Sequence, residues 1–308
     1  MAVVGTLGRL GLLALLASGP TARADPLPAP AGGAEIVVTG TRESLARAVA
    51  DVRAITAVHR GHYARFEAPV CPYAAGLAGP YKAAVEARMR SVAREAGVRV
   101  AKAGCTPNLA LIVADDGGAL VAALQRKVPD LFATLSGAET NALARRRGPV
   151  WSWHAVTGRR RDGGPVEPMT MLSFSPQDPG RPVAPGAFIA SNVDMSRLGD
   201  PVRMEIAFSC VVVGSAAAAG LTVRQLADAA ALAGLSMIRA DRLPALQHAS
   251  ALALLLGSPE ARRRIEGLTA FDRAYLRALY SGEGGYGAEQ QATRIAIAMR
   301  RATPDPVD

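Results

Sequence analysis

FEAPVCPYAAGL (Phe66–Leu77) and AGVRVAKAGCTPNLALIVADD (Ala96–Asp116) enclose an amphipathic run, and together these pieces decide the fold. Within the enclosed run Tyr81, Val85, Met89, Val92 and Ala96 recur every three or four residues, which is one face of a helix. Lys82, Glu86, Arg90, Arg94 and Glu95 fall mostly on the opposite face. Gly79-Pro80 suits the helix start, because a proline in the first turn loses no helical hydrogen bond. Gly97 suits its end, where a left-handed residue closes the last turn. Pro69 and Pro72 hold Cys71 in an extended or turn conformation, since proline fixes its own φ and restricts the residue before it. Val98 and Val100 then alternate as in a strand, Gly104–Pro107 is a turn, and Leu109–Ala114 is apolar without a break. Such a run of strand length predicts a strand covered on both faces.

Cys71 and Cys105 therefore lie in turns at the two ends of one helix–strand unit. In an oxidising compartment they are expected to pair; closing a loop of about 35 residues is worth roughly 3–4 kcal/mol in the chain-entropy picture. The start of the chain predicts that compartment. Met1–Ala24 reads as a secretory signal, with Arg9, the apolar core Leu10–Ala17 and the small-x-small site Ala22-Arg23-Ala24 before Asp25. Cleavage between Ala24 and Asp25 would leave the protein periplasmic or secreted. No later segment has 18 uninterrupted apolar residues, so no transmembrane segment is expected in the mature chain. Cys210, inside the apolar stretch Phe208–Val213, reads as a buried and inert thiol.

Half of the residues are hydrophobic, enough for a sizeable core. The net charge is +9; the leader carries two basic residues and no acidic one, which leaves +7. Arginines cluster at 145–147, 159–161 and 262–264. Nucleic-acid binding would interleave such clusters with aromatics, and aromatics are only 5% of the chain. The clusters therefore read as solvated loops and helix faces, and no nucleic-acid partner is expected.

The domain organisation follows: a signal peptide over 1–24, a Pro/Ala/Gly-rich linker over 25–34, one α+β domain over 35–301 with a helical subregion over 222–301, and a disordered tail over 302–308. Glu35–Arg42 (EIVVTGTR) resembles the energy-coupling box of TonB-dependent outer-membrane transporters, but no barrel follows, and it also reads as an ordinary first strand. Helices are expected over Ser44–Val58, Leu120–Lys127 and from the Ser136/Glu139 capping box to about Arg147. VWSWHAV (Val150–Val156) predicts a strand with Trp151 and Trp153 on one face and His154 on the other. Met169–Phe174 is expected as its hairpin partner, Ser175–Pro185 as a loop, Phe188–Val193 as a short strand and Val202–Val213 as the longest strand. Gly214–Gly220 is expected as a loop of small residues. Helices then run over Val223–Ile238, from a Thr222/Gln225 capping box, and over Leu243–Leu256, Ala270–Tyr280 and Ala288–Arg301. The predicted fold is α+β: a mixed sheet against helices, with an all-helical C-terminal region.

No complete catalytic, cofactor or metal motif is present, so no catalytic residue, cofactor or metal is assigned. His59 and His62 are three apart, but Gly61 intervenes and no third ligand is near in sequence. Asp115 and Asp116 end a strand, where α/β folds often place chemistry, but they suit a helix cap better. Gly214–Gly220 lacks the Gly-Lys-Ser/Thr ending of a phosphate-binding loop and the Gly-x-Ser-x-Gly pattern of a nucleophile elbow.

PVCP (Pro69–Pro72), GCTPNLALIVADD (Gly104–Asp116), TVRQLADAAAL (Thr222–Leu232) and LTAFDRAYLRALY (Leu268–Tyr280) resemble a family of exported alphaproteobacterial proteins with no assigned activity. The last two pieces are also loosely similar to zinc-metallopeptidase-like proteins. The resemblance implies a degenerate site, because the helix that would carry His-Glu-x-x-His offers Gln225, Leu226, Ala227 and Asp228 and no histidine. The expected function is a non-catalytic envelope protein that binds another envelope protein or a small ligand. The alternative is a hydrolase with His154 or His248 as base beside Asp115 or Asp116.

Overall fold

Helix α1 (Gly40–Ile55) leads to strand β1 (Pro72–Ala75), helix α2 (Gly79–Glu95) and strand β2 (Leu109–Ala114). Helix α3 (Gly117–Lys127), a short turn of 3-10 helix (Pro129–Phe132) and α4 (Gly137–Arg145) precede β3 (Val150–Arg160). A small ribbon follows, β4 (Phe174–Ser175) and β5 (Asp178–Pro182), and then the long strand β6 (Val202–Gly214). Among the described residues the rest is helical: α5 (Ser215–Ala218), α6 (Val223–Leu235), α7 (Leu252–Leu255), α8 (Pro259–Arg264), α9 (Ala270–Ser281) and α10 (Ala288–Ala302). The computed structural model describes residues 40–160, 162–164, 166, 174–175, 178–182, 202–239, 249–282 and 285–302.

The main sheet has the order β1-β2-β6-β3; β1, β2 and β6 are parallel, and β3 runs antiparallel to β6. The fold is α+β as the sequence predicts. Leu109, Leu111, Val211 and Val213 face the larger core with α2, α6, α9 and α10, while Ala110, Cys210 and Val212 face a second core with Val121, Phe132, Trp151 and Trp153. The alternation has the period of a strand, and apolar layers on both sides explain why β2 reads as unbroken apolar sequence. Two glycines permit the close approaches. A Cβ on Gly234 of α6 would lie 2.4 Å from Leu109 Cδ1, and one on Gly117 of α3 would lie 2.3 Å from the Trp151 ring.

Helix α2 ends as its sequence predicts. Gly97 has φ +86°, its N–H donates to the Arg94 carbonyl, and the Val98 N–H donates to that of Ala93. Cys71 and Cys105 are bonded, with Cα atoms 6.0 Å apart, next to the start of β1 and in the turn before β2. Asn108 completes this corner: its Oδ1 accepts from the Cys71 N–H at 2.6 Å, and its own N–H donates to the Cys71 carbonyl.

Buried polar groups tie the helices together. The Arg88 guanidinium on α2 donates to both carboxylate oxygens of Asp228 on α6, at 2.5 and 3.1 Å, and the Leu268 N–H donates to the same carboxylate. Asp272 accepts from the N–H groups of Ala251 and Thr269. Each buried carboxylate therefore has the partners that a desolvated charge needs.

Several elements differ from the sequence expectations. Val98 and Val100 are not a strand of the sheet; Val100 makes one parallel bridge to Val70. Pro72–Ala75, given no strand in the sequence reading, is an edge strand, with proline at its first position where no ladder bond is lost. The antiparallel partner of β3 is β6, not Met169–Phe174; Phe174 pairs with Pro182 inside the expected loop. Gly40–Arg42 starts α1 rather than ending a strand. Helix α6 stops at Leu235, because Ser236 turns extended and Ile238 bridges to Thr56. Ser215–Ala218 is one helical turn rather than loop. Tyr81, in the first turn of α2, is 61% exposed rather than core. The predicted signal peptide, linker, Glu35–Thr39, Met169–Ser173, Phe188–Val193, Leu243–His248 and the tail beyond Ala302 lie outside the described residues. No helix among the described residues is long and apolar enough to cross a membrane.

Candidate functional site

After α1 the chain forms a tight turn. The N–H groups of His59 and His62 donate to each other's carbonyls at 2.8 and 3.0 Å, while Arg60 (φ +49°) and Gly61 (φ +84°) occupy the left-handed region. This is the geometry of a two-residue hairpin with both central residues at positive φ. The turn is anchored to the start of α10, where the Ala288 N–H donates to the Gly61 carbonyl and His62 Nδ1–H to that of Tyr286. His59 and His62 thus sit at the two ends of a backbone turn, not on one helical face. Among the described residues no group of three or more His, Cys, Asp or Glu is gathered as a metal site.

Just before this turn the Ala57 N–H donates to the Met237 carbonyl at 2.7 Å, and Thr56 and Ile238 form an antiparallel bridge. This joins the exit of α1 to the exit of α6. Between that bridge, α4 and β3 lies a cleft of about 420 Å³. Ala57, Leu135, Trp153, Met237 and Ile238 make its apolar walls, and His59, Glu139, Arg145, Arg146, Ser152 and His154 are its polar lining. A wider basin of about 930 Å³ adjoins it through the shared His59, Leu135 and Glu139 and adds Arg60, Thr134, Ser136 and Arg159. These are sizes typical of ligand sites.

Most titratable groups of the cleft are already engaged. The Glu139 carboxylate accepts from the Ser136 N–H and hydroxyl at 2.7 Å as the N-terminal capping box of α4. Burial alone would raise its pKa, but the Ser136 donors and the charges of His59 and Arg60 hold it below the ordinary range. Burial lowers the pKa of His59; Glu139 opposes this and Arg60 adds to it. His154 is buried, and its Nε2–H donates to the Ala233 carbonyl of α6 at 3.1 Å. Burial pulls its pKa down to about 4 against those backbone carbonyls, so it is neutral at physiological pH. Arg146 Nε donates to the Val150 carbonyl, Arg159 lies 3.6 Å from Glu205, and Arg145 is exposed at the cleft wall. The lining is therefore net cationic above an apolar floor.

The cleft also runs along a sheet edge, since among the described residues β3 is the last strand of its sheet. In an antiparallel strand each residue directs its N–H and C=O to one side, and successive residues alternate. The Val150 carbonyl is taken by Arg146 and the Val156 N–H by Thr134 Oγ1, so the even-numbered residues between them point away from β6. At Arg160 the outward groups pair with Gly163 and Gly164. The outward N–H and C=O groups of Ser152 and His154 have no hydrogen-bond partner among the described residues.

The other sequence candidates lie elsewhere. Asp116 caps α3, accepting from the Ala119 N–H at 2.8 Å, and Asp115 precedes it at the end of β2. His154 therefore pairs with a backbone carbonyl and not with either aspartate; His248 lies outside the described residues. Cys210 is buried in the second core, and burial pushes its thiol up to about 12. The helix compared with the zinc-binding helix uses Gln225 to cap itself and bind the carbonyls of Arg262 and Ile265, and uses Asp228 to pair with Arg88. Sequence reasoning missed the cleft as a unit: it took Glu139 as a cap only and Arg145–Arg147 as solvated surface. Comparison with family models, with curated proteins and with solved structures finds no match.

Proposed function

We propose that this is an exported, non-catalytic binding protein of the cell envelope, with the β3 cleft as its ligand site. The observation that carries the reading is the make-up of the cleft: an apolar floor at Trp153, Met237 and Ile238 beneath an arginine-rich wall, with its carboxylate and its buried histidine already bonded within the fold. Such a surface holds an anionic group against apolar neighbours. The Cys71–Cys105 bond supports the exported setting, because structural disulfides persist in oxidising compartments.

A hydrolase is the second reading. It draws on His59, whose pKa burial lowers against the opposing field of Glu139 in the same cleft. Thermal unfolding of the protein against a panel of organic anions and peptides, together with a chromogenic ester and peptide panel, separates the two. The binding reading expects some panel members to raise Tm by several degrees in the wild type and not in Arg145→Glu. Turnover of an ester or peptide that His59→Ala abolishes would replace it with the hydrolase.

A further inference from the structure

The proposed binding site has an unusual wall, the main chain of an edge strand. Ser152 and His154 each present an outward N–H and C=O to the cleft, and the two residues are one pleat repeat apart, about 7 Å at strand rise. The nearest outward groups on either side are already taken, the Val150 carbonyl by Arg146 and the Val156 N–H by Thr134, which bounds the open stretch. Trp153 lies between the two open residues and lines the same cleft. Arg145 and Arg146 flank one end and Arg159 stands in the adjoining basin.

We infer that the cleft takes an extended acidic peptide segment, which adds a short strand to β3 by pairing with Ser152 and His154 while its carboxylates meet the arginines. This rests on the binding reading above and names the ligand class. Two pairs of complementary backbone groups at strand spacing match a peptide backbone and nothing simpler. A fatty or phenolic acid would satisfy the arginines and the apolar floor but leave the four main-chain groups unmatched. A cleft of about 420 Å³ fits a few residues of peptide rather than a folded partner.

The test uses the full chain and four probes: acetyl-(Val-Glu)4-amide, the same peptide N-methylated at alternate residues, acetyl-(Val-Lys)4-amide, and octanoate. Binding is read by Trp fluorescence, and amide exchange by NMR. The inference expects the Val-Glu peptide to bind and to slow exchange at Ser152 and His154 at least tenfold. N-methylation should weaken binding at least tenfold, because it removes the pairing without touching charge or side chains, and Arg145→Glu should weaken it severalfold. Binding that leaves the exchange of Ser152 and His154 unchanged, or equal binding of the Val-Lys peptide, would overturn it. So would protection of both amides in the unliganded chain, since another part of the molecule would then hold the edge. If octanoate binds in the cleft and neither acidic nor basic peptide does, strand addition falls and the binding reading stands. If no probe binds, both fall.

Discussion

The two edges of the sheet are built on opposite principles. The β1 edge is four residues long, starts with Pro72, and is stapled through Cys71 to the turn before β2. The Ala74 N–H is plugged by the Glu86 carboxylate of α2 at 2.9 Å. The β3 edge is eleven residues long, is bonded near its two ends and at Val156, and among the described residues is open at Ser152 and His154 beside the cleft and at Gly158 beside the basin. Native sheets ordinarily blunt their edges with short strands, proline or covering side chains, because an open edge recruits other chains. One edge here follows that rule throughout. The other departs from it along the cleft and the adjoining basin, where arginines and an apolar floor converge, and a departure placed there reads as use.

Breaking the closed edge should have the largest effect. The double substitution Cys71→Ala, Cys105→Ala removes a cross-link spanning 34 residues and is expected to lower stability by roughly 3–4 kcal/mol in urea unfolding. Because the bond lies at the far edge from the cleft, ligand affinity should be unchanged where the variant is folded. Next comes the buried side of β3. The His154 pKa of about 4 is below the unfolded value of 6.5, so the unfolded chain takes up the proton first. This contribution is complete above about pH 6.5 and is lost as pH falls toward 4, a loss of about 3 kcal/mol. His154→Gln keeps an N–H donor for the Ala233 carbonyl and should flatten the stability–pH curve in that window; an unaltered curve would show that another group sets it.

Unplugging the β1 edge with Glu86→Ala leaves the buried Ala74 N–H without its acceptor and should cost about 1–2 kcal/mol, measured by urea unfolding. The smallest effect is expected at the open edge. Ser152→Pro removes an N–H that pairs with nothing among the described residues, so its cost should be about 1 kcal/mol or less, whereas proline at Trp153 breaks a ladder bond to β6 and should cost about 3 kcal/mol or more. Equal costs at the two positions would mean that the edge is not open.

What the sequence made legible was local. The α2–β2 unit, its Gly97 cap, the capping boxes at Ser136 and Thr222, the Asp116 cap and the cysteine pair all lie within a few turns of their partners or between clear turn signals. Strand β1 was hidden because PYAA has no alternating pattern and begins with proline. The partner of β3 was misread because a nearby strand is the usual neighbour, and β6 enters only some forty residues later. The alternation of Trp151, Trp153 and His154 indicated faces correctly, but whether a strand is an edge depends on sheet order, which no local pattern carries. The cleft draws on residues near 57, 139, 153 and 238, so its arginines looked like ordinary surface charge.

The most direct measurement is residue-resolved hydrogen exchange along β3 in the unliganded protein. The open-edge account predicts alternation: slow exchange at Trp151 and Trp153, whose N–H groups point into the ladder with β6, and exchange at least a hundredfold faster at Ser152 and His154. Uniform protection across all four amides would contradict it, because the edge would then already be paired.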